Sequence, residues 1–277
     1  MYHPTTRPQE GYKGSPIARE ILGYWEVIRK IVRECDIIIE VLDARMPEFS
    51  RNGEIEAIVL ENKKRLIFVM NKADLVSEGT LERESDELKK VGECVYVSSK
   101  SDVDLKKLKA LIFKDFTKVT NEFEKLRIGI VGYPNTGKSS LINKLTHRRS
   151  ARVSKRAGTT HGVQWIRFGE NAVIMDSPGV IPLSGADFIQ EGLLGAKDPE
   201  RLPNPEFVAH KLIEMCQLKN EKSLRDFLQI EVVNKNPDKI IDEVAIKKSF
   251  VRKGGLPDRN RAIIFLLRSW TRGELRV

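Results

Sequence analysis

Gly132-Tyr133-Pro134-Asn135-Thr136-Gly137-Lys138-Ser139 decides how this chain folds, and Asn71-Lys72-Ala73-Asp74, lying upstream of it, decides the order of its parts. The first stretch fits G-x-x-x-x-G-K-[ST]. In that pattern glycines let backbone N–H groups close around phosphates, a lysine reaches the outer phosphate oxygens and a hydroxyl meets Mg²⁺. Gly132, Gly137, Lys138 and Ser139 take those positions, and Thr136 and Ser140 join the expected phosphate-binding set. Apolar residues 126–131 read as a buried strand and residues 140–146 as a helix opening at the phosphates, which is the context the motif requires.

Guanine presents N1–H and a 2-amino group on one edge, so a carboxylate beside the ring selects it over adenine by paired, charge-assisted hydrogen bonds. Asp74 is the expected carboxylate, with Asn71 holding neighbouring loops and approaching N7, and the stem of Lys72 lying over the base. Ala73 completes that segment. Val97-Ser98-Ser99-Lys100 follows the next apolar stretch, where GTP-binding proteins place a loop whose backbone N–H meets O6 of guanine. Asp176-Ser177-Pro178-Gly179 closes another apolar run and matches D-x-x-G, whose aspartate holds Mg²⁺ through water and whose glycine N–H touches the γ-phosphate. Between it and the phosphate loop lies Gly158-Thr159-Thr160-His161. Thr160, with Thr159 as the alternative, is the switch threonine expected to join Ser139 and Asp176 around Mg²⁺. Val180 stands where Ras-like enzymes carry a water-orienting glutamine, so intrinsic hydrolysis is expected to be slow. His161 is a second candidate for positioning that water.

At 277 residues the chain is long enough for roughly two domains. Hydrophobic residues make up 40%, enough for a folded core, and a net charge of +9 points to a polyanionic partner beyond the nucleotide. Cys35, Cys94 and Cys216 show neither disulfide nor zinc spacing, and no apolar run approaches a membrane span, so a cytoplasmic protein is expected. Helical spacing over 17–34, 80–91 and 104–116 alternates with β-rich runs at 36–43, 65–70 and 94–97, which predicts a doubly wound α/β sheet. Two more strands are expected at 163–168 and 172–176. Charged residues 114–125 read as the linker that a permuted order needs. From 188 to 270 only helical spacing remains, punctuated by Asp198-Pro199, Asn204-Pro205, Asn236-Pro237 and Gly254-Gly255. The expected division is therefore a nucleotide-binding domain over 1–182 and an all-helical domain over 183–277. In the latter, Arg261, Arg268 and Arg272 share one helical face with Phe265 beside them, and Arg252 and Lys253 add to the basic side. That face is the candidate RNA-contact surface.

The motif order, together with Asp43-Ala44-Arg45-Met46-Pro47, Ser50-Arg51-Asn52 and Lys253-Gly254-Gly255-Leu256-Pro257-Asp258, resembles the circularly permuted GTPases of the YlqF/YawG type, relatives of nucleostemin. The resemblance spans about residues 17–277. It implies a P-loop GTPase domain with a helical C-terminal domain, and GTP hydrolysis coupled to large-ribosomal-subunit assembly, with rRNA or a pre-ribosomal particle as partner. It also implies that Asn135 coordinates K⁺ against the phosphates, so that Lys138, Asn135, Thr160 and Gly179 form the catalytic set. The Phe-Pro-Gly-His-Met element of bacterial members has no counterpart in this sequence.

Overall fold

A computed structural model describes residues 16–100, 104–114, 116, 125–146, 165–176, 188–233 and 235–277. The first helix, α1 (Pro16–Glu34), turns Tyr24, Ile28, Ile31 and Val32 inward and leads into β1 (Ile37–Asp43), all of whose residues are buried. Such a continuous apolar run is what a strand covered on both faces requires. Alternate residues of β1 serve different cores. Ile37, Ile39 and Val41 pack with α5 (Leu105–Phe113) and α6 (Lys138–Thr146), while Ile38 and Leu42 face α1. Glu40 breaks the pattern: its buried carboxyl accepts from Asn52 N at 2.8 Å through Oε1, and Oε2 has no hydrogen-bond partner.

Two helices absent from the sequence expectations follow β1. The four-residue α2 (Pro47–Ser50) begins at a proline, and α3 (Gly53–Glu61) is capped by Asn52 Oδ1, which accepts from Glu54 N and Ile55 N. The chain continues through β2 (Arg65–Asn71), α4 (Glu78–Leu88) and β3 (Glu93–Tyr96). After α5 come β4 (Leu126–Val131), α6, β5 (Trp165–Phe168) and β6 (Ala172–Asp176). The sheet order is β3-β2-β1-β4-β6-β5, with every pairing parallel except the β5–β6 hairpin. Chain direction across the sheet reverses between β1 and β4. The crevice outside the strands' carboxyl ends at such a switch point is where open α/β sheets bind ligands.

The remaining described residues form α7 (Phe188–Leu193), α8 (Pro205–Leu228), α9 (Pro237–Lys247) and α10 (Arg259–Arg272), with one isolated bridge between Val251 and Pro257. The proline dipeptides that mark loops in the sequence turn out to be helix starts. Asp198, Asn204 and Asn236 accept from Glu200 N, Phe207 N and Asp238 N, and each precedes a proline in the first turn. Asn220, with φ −159° and ψ 74°, breaks α8. The helical region packs directly against the sheet: Leu42, Met46, Phe68 and Met70 belong to the same buried cluster as Leu212, Leu266, Leu267 and Trp270. Backbone pairing adds to this contact, since Val277 N donates to Leu75 O at 2.8 Å and Ser77 N to Val277 O at 3.1 Å.

Candidate functional site

Because β1, β2, β3, β4 and β6 are parallel, the segments that follow them open on one edge of the sheet. Asn71, the last residue of β2, is buried and ties two of these segments together: its Nδ2 donates to Thr136 O at 2.9 Å, and its Oδ1 accepts from Ser99 N at 3.1 Å. The Asn71–Asp74 segment, the Ser-Ser-Lys loop and the phosphate loop are thereby held by a single amide. Gly137 is what allows it. Its φ is +98°, and a Cβ there would lie 2.1 Å from Asn71 Nδ2.

Asp74 sits half-buried in a 3-10 turn, Ala73–Leu75, and its Oδ1 accepts from Ser98 Oγ at 2.6 Å. Ser98 Oγ in turn accepts from Lys100 N at 3.2 Å, so the carboxylate and the Ser-Ser-Lys loop orient each other. Lys72 lies in the left-handed region at φ 66° and directs its ammonium back to Asp43 Oδ2 at 2.7 Å. Burial lowers the Lys72 pKa, and Asp43 works against that shift. Beside these residues is a cavity of about 180 Å³, lined on this side by Lys72, Asp74, Leu75, Ser99 and Lys100.

In the phosphate loop, Lys138 is buried and donates to Gly132 O at 2.5 Å and Tyr133 O at 2.7 Å. Burial brings its pKa down to about 8, with Asp176 opposing. An ammonium held in so dry a place gains strongly from phosphate oxygens. Asp176, at the end of β6, has its carboxyl pushed up to about 6 by burial, with Lys138 opposing, and its Oδ1 is buried without a hydrogen-bond partner. An orphaned hard oxygen on a carboxyl that Lys138 faces electrostatically suits Mg²⁺ and its waters, and Ser139, the residue after Lys138, is half-buried. Ser140 is exposed on the first turn of α6. Thr160 and Gly179, expected in the same set, lie outside the described residues, as do Thr159, His161 and Val180.

Asn135 has φ 60° and is exposed, and its Nδ2 donates to Gly195 O at 2.6 Å and Leu194 O at 3.3 Å, just beyond α7. Its amide nitrogen is thus held by the helical region, which fixes where its oxygen points. Sequence reasoning did not foresee this contact, nor the role of Asp43 and Arg45. Arg45 Nε and Nη2 bond Asp43 Oδ1 and Oδ2 at 3.0 and 2.8 Å. Its Nη1 donates to Trp270 O at 2.6 Å, and the guanidinium lies 3.6 Å from the Trp270 ring centroid. Burial alone would raise the Asp43 carboxyl, but Arg45 and then Lys72 hold it well below the usual carboxylate range. The available signal was positional: an Asp-Ala-Arg run at the carboxyl end of a central strand lies at the switch-point edge.

On α10, Arg261, Arg268 and Arg272 are exposed while Ile263, Leu266, Leu267 and Trp270 are buried, as the periodicity requires. Several of the basic groups are already engaged. Arg268 pairs with Glu200 at 2.9 Å, Arg272 with Glu274 at 3.4 Å and Arg252 with Asp258 at 3.5 Å, and Arg261 stands 4.8 Å over Phe250. Lys253 is exposed. Phe265 departs from the expectation of a ring free for stacking. It is half-buried, stacked on Phe227 and edge-on to Phe250, because its helical position borders the apolar face.

Residues 127–237 match the family described as 50S ribosome-binding GTPase, a span that starts in β4 and leaves the Asn71–Asp74 half of the site upstream. An uncharacterized GTP-binding protein of Methanocaldococcus jannaschii is 34% identical over 265 residues, covering 95% of this chain and 67% of that protein. The guanine nucleotide-binding protein-like 3 homolog of Caenorhabditis elegans is 29% identical, covering 93% and 50%. Nucleolar GTP-binding protein 2 of Saccharomyces cerevisiae is 27% identical, covering 91% and 52%. The chain thus spans about half the length of these two eukaryotic relatives. The fold is similar to GNP-bound YlqF from T. maritima at TM-score 0.61 and 22% identity, over 91% of this chain and 94% of that one. GDP-bound YlqF aligns at TM-score 0.63 and 23% identity, over 90% and 96%. With its Asn71–Asp74 segment ahead of its phosphate loop and both at one sheet edge, this chain belongs to the circularly permuted GTPases of the YlqF type.

Proposed function

We propose that this protein hydrolyses GTP to GDP and phosphate and couples that turnover to assembly of the large ribosomal subunit through contact with rRNA. The observation that carries the reading is the Asn71 amide, which fastens a guanine-type base segment to a phosphate loop. Phosphoryl transfer depends on positioning and charge stabilisation more than on covalent participation by the protein. Lys138 and the loop N–H groups bind the phosphates, Asp74 reads the base edge, and Ser98 holds Asp74 in place. Ser139, Asp176 and Thr160 are the residues that would hold Mg²⁺, which supplies charge neutralisation across the phosphate oxygens when bound. The buried, unpartnered Asp176 oxygen supports that assignment.

Asn135 would supply a side-chain oxygen to K⁺, and the Leu194 and Gly195 carbonyls, by holding its nitrogen, orient that oxygen. The family described as 50S ribosome-binding GTPase and the nucleolar names of the relatives support the ribosomal assignment, and the net charge of +9 suits an RNA partner. The helical region, about 183–277, would present Arg252, Lys253, Arg261 and Arg268 to rRNA, with GTP favouring the bound pose and hydrolysis favouring release. A second reading, a GTP-gated scaffold with incidental turnover, is favoured by Val180 at the water-orienting position.

Measuring GTP turnover in K⁺ against Na⁺, with and without large-subunit particles, separates the two. Faster turnover in K⁺ and on particles is expected of the enzyme; equal rates in all four conditions would leave the scaffold. Particle affinity with a non-hydrolysable GTP analogue and with GDP then tests the coupling, and linkage requires equal and reciprocal effects on nucleotide binding.

A further inference from the structure

The cavity beside Asp74 has walls from parts of the chain almost 200 residues apart. Lys72, Asp74 and Leu75 form one, and Thr271, Arg272 and Gly273, at the end of α10, face them. The approach is close: a Cβ at Gly273 would lie 3.0 Å from Leu75 Cδ1. The helix end is also fastened on both sides of this turn. Arg45 Nη1 holds Trp270 O at 2.6 Å before it, and Val277 pairs with Leu75 and Ser77 after it. Thr271 extends the contact toward the phosphate loop, since a Cβ at Gly195 would lie 2.7 Å from Thr271 Cγ2 and 3.3 Å from Asn135 Nδ2.

Arg272 is the one long cationic side chain on this wall, and its side chain is 59% exposed. Its Nη1 pairs with Glu274 at 3.4 Å, a solvent-exposed contact of small value, and its Nε donates to Arg268 O at 3.2 Å; both are in-plane contacts, so the face of the guanidinium is open to a ligand entering the cavity. A planar guanidinium stacks on aromatic faces in a way that an ammonium does not.

We propose that the last turn of α10 is the outer wall of the guanine site and that Arg272 packs against the face of the bound base. This rests on the reading of Asp74 as the base-recognition carboxylate. The helical region is then part of nucleotide recognition itself, and Arg272 belongs to the nucleotide site instead of the RNA-contact face. Because Arg261 and Arg268 ride on the same helix, base occupancy and the pose of the basic face are linked through α10.

The test is calorimetric titration of the full chain with GDP, and with inorganic pyrophosphate, for wild type, Asp74→Asn, Arg272→Ala and Arg272→Lys, after matching their urea midpoints. Arg272→Ala is expected to weaken GDP by about 3- to 30-fold. Arg272→Lys should restore only part of that loss, and pyrophosphate binding should be unchanged. GDP affinity within twofold of wild type in Arg272→Ala, alongside a loss in Asp74→Asn, would overturn the wall while leaving the base reading intact. No loss in either variant would overturn the base reading as well. An equal loss for pyrophosphate, or full rescue by lysine, would make Arg272 a phosphate or charge contact and overturn the stacking.

Discussion

Replacing Arg45 by alanine tests whether the helical region is anchored through the end of β1. The side chain is buried, makes two side-chain bonds to Asp43, donates to Trp270 O at 2.6 Å and lies 3.6 Å from the Trp270 ring centroid. Removing one member of a buried ion pair costs about 3–5 kcal/mol, most of it from the charge left behind. Asp43 would keep Lys72 at 2.7 Å, which argues for the lower half of that range. Trp270 O would keep Gly273 N as a donor at 3.0 Å, so its loss is also partial. Urea unfolding monitored by circular dichroism should show an earlier midpoint. The Asp43→Ala, Arg45→Ala double variant should lose less than the sum of the two singles, because neither charge is then stranded. The sign with pH follows from the depressed Asp43 carboxyl. Its stabilisation is present above the ordinary carboxylate range and lost as pH falls through the folded-state value, so the Arg45→Ala variant should unfold at a higher pH in acid than wild type. A cost below about 1 kcal/mol with additive singles would refute the anchoring argument.

Asp74→Asn should weaken GTP and improve xanthosine triphosphate, whose 2-oxo group meets the new amide; equilibrium competition between the two nucleotides measures the exchange, and an unchanged preference removes Asp74 from base recognition. Gly137→Ala places a methyl 2.1 Å from Asn71 Nδ2 at a φ of +98°, so it should break the bond to Thr136 O and lower stability by about 2–4 kcal/mol, read from the urea midpoint. Glu40→Gln should stabilise the protein at pH above the ordinary carboxylate range. Burial and then Glu56 raise the Glu40 pKa despite Arg51, so wild-type stability falls as pH rises through that value, by up to about 1.4 kcal/mol per unit, and the glutamine variant should lose this slope. Parallel stability profiles for the two proteins would show that burial does not raise the Glu40 carboxyl.

Where the candidate site lies was legible because its parts are local strings at strand ends. Asn71, Asp74, Lys138 and Asp176 each close or follow a β-rich run, and the parallel order gathers such ends on one edge. The helix pattern of α10 was equally plain, since Leu266, Leu267 and Trp270 repeat at the helical period. What escaped was non-local. Arg45 and Trp270 are 225 residues apart, and neither carries a local sign of the other. Asn135 reaching Gly195 is of the same kind. The strand run Ile37-Ile38-Ile39 could not be divided between two cores because both faces are apolar, and only Glu40 marks one of them. Helix α3 escaped because it has nine residues and starts at a glycine, which weakens its periodic signal.

The position of β1 at the centre of the sheet has a consequence for biosynthesis. One edge of β1 is taken by β2, which follows soon after, but the other is taken by β4, and the Trp270 carbonyl that receives Arg45 is made later still. A nascent chain that has emerged through β3 therefore carries a largely apolar strand with an unpaired edge, a form prone to association with other chains. Contacts of such long sequence separation also slow folding, because loop closure comes before they can form. The order of motifs thus leaves the central strand with one open edge until β4 is made, and leaves Arg45 without its Trp270 partner until nearly the whole of this chain has been translated.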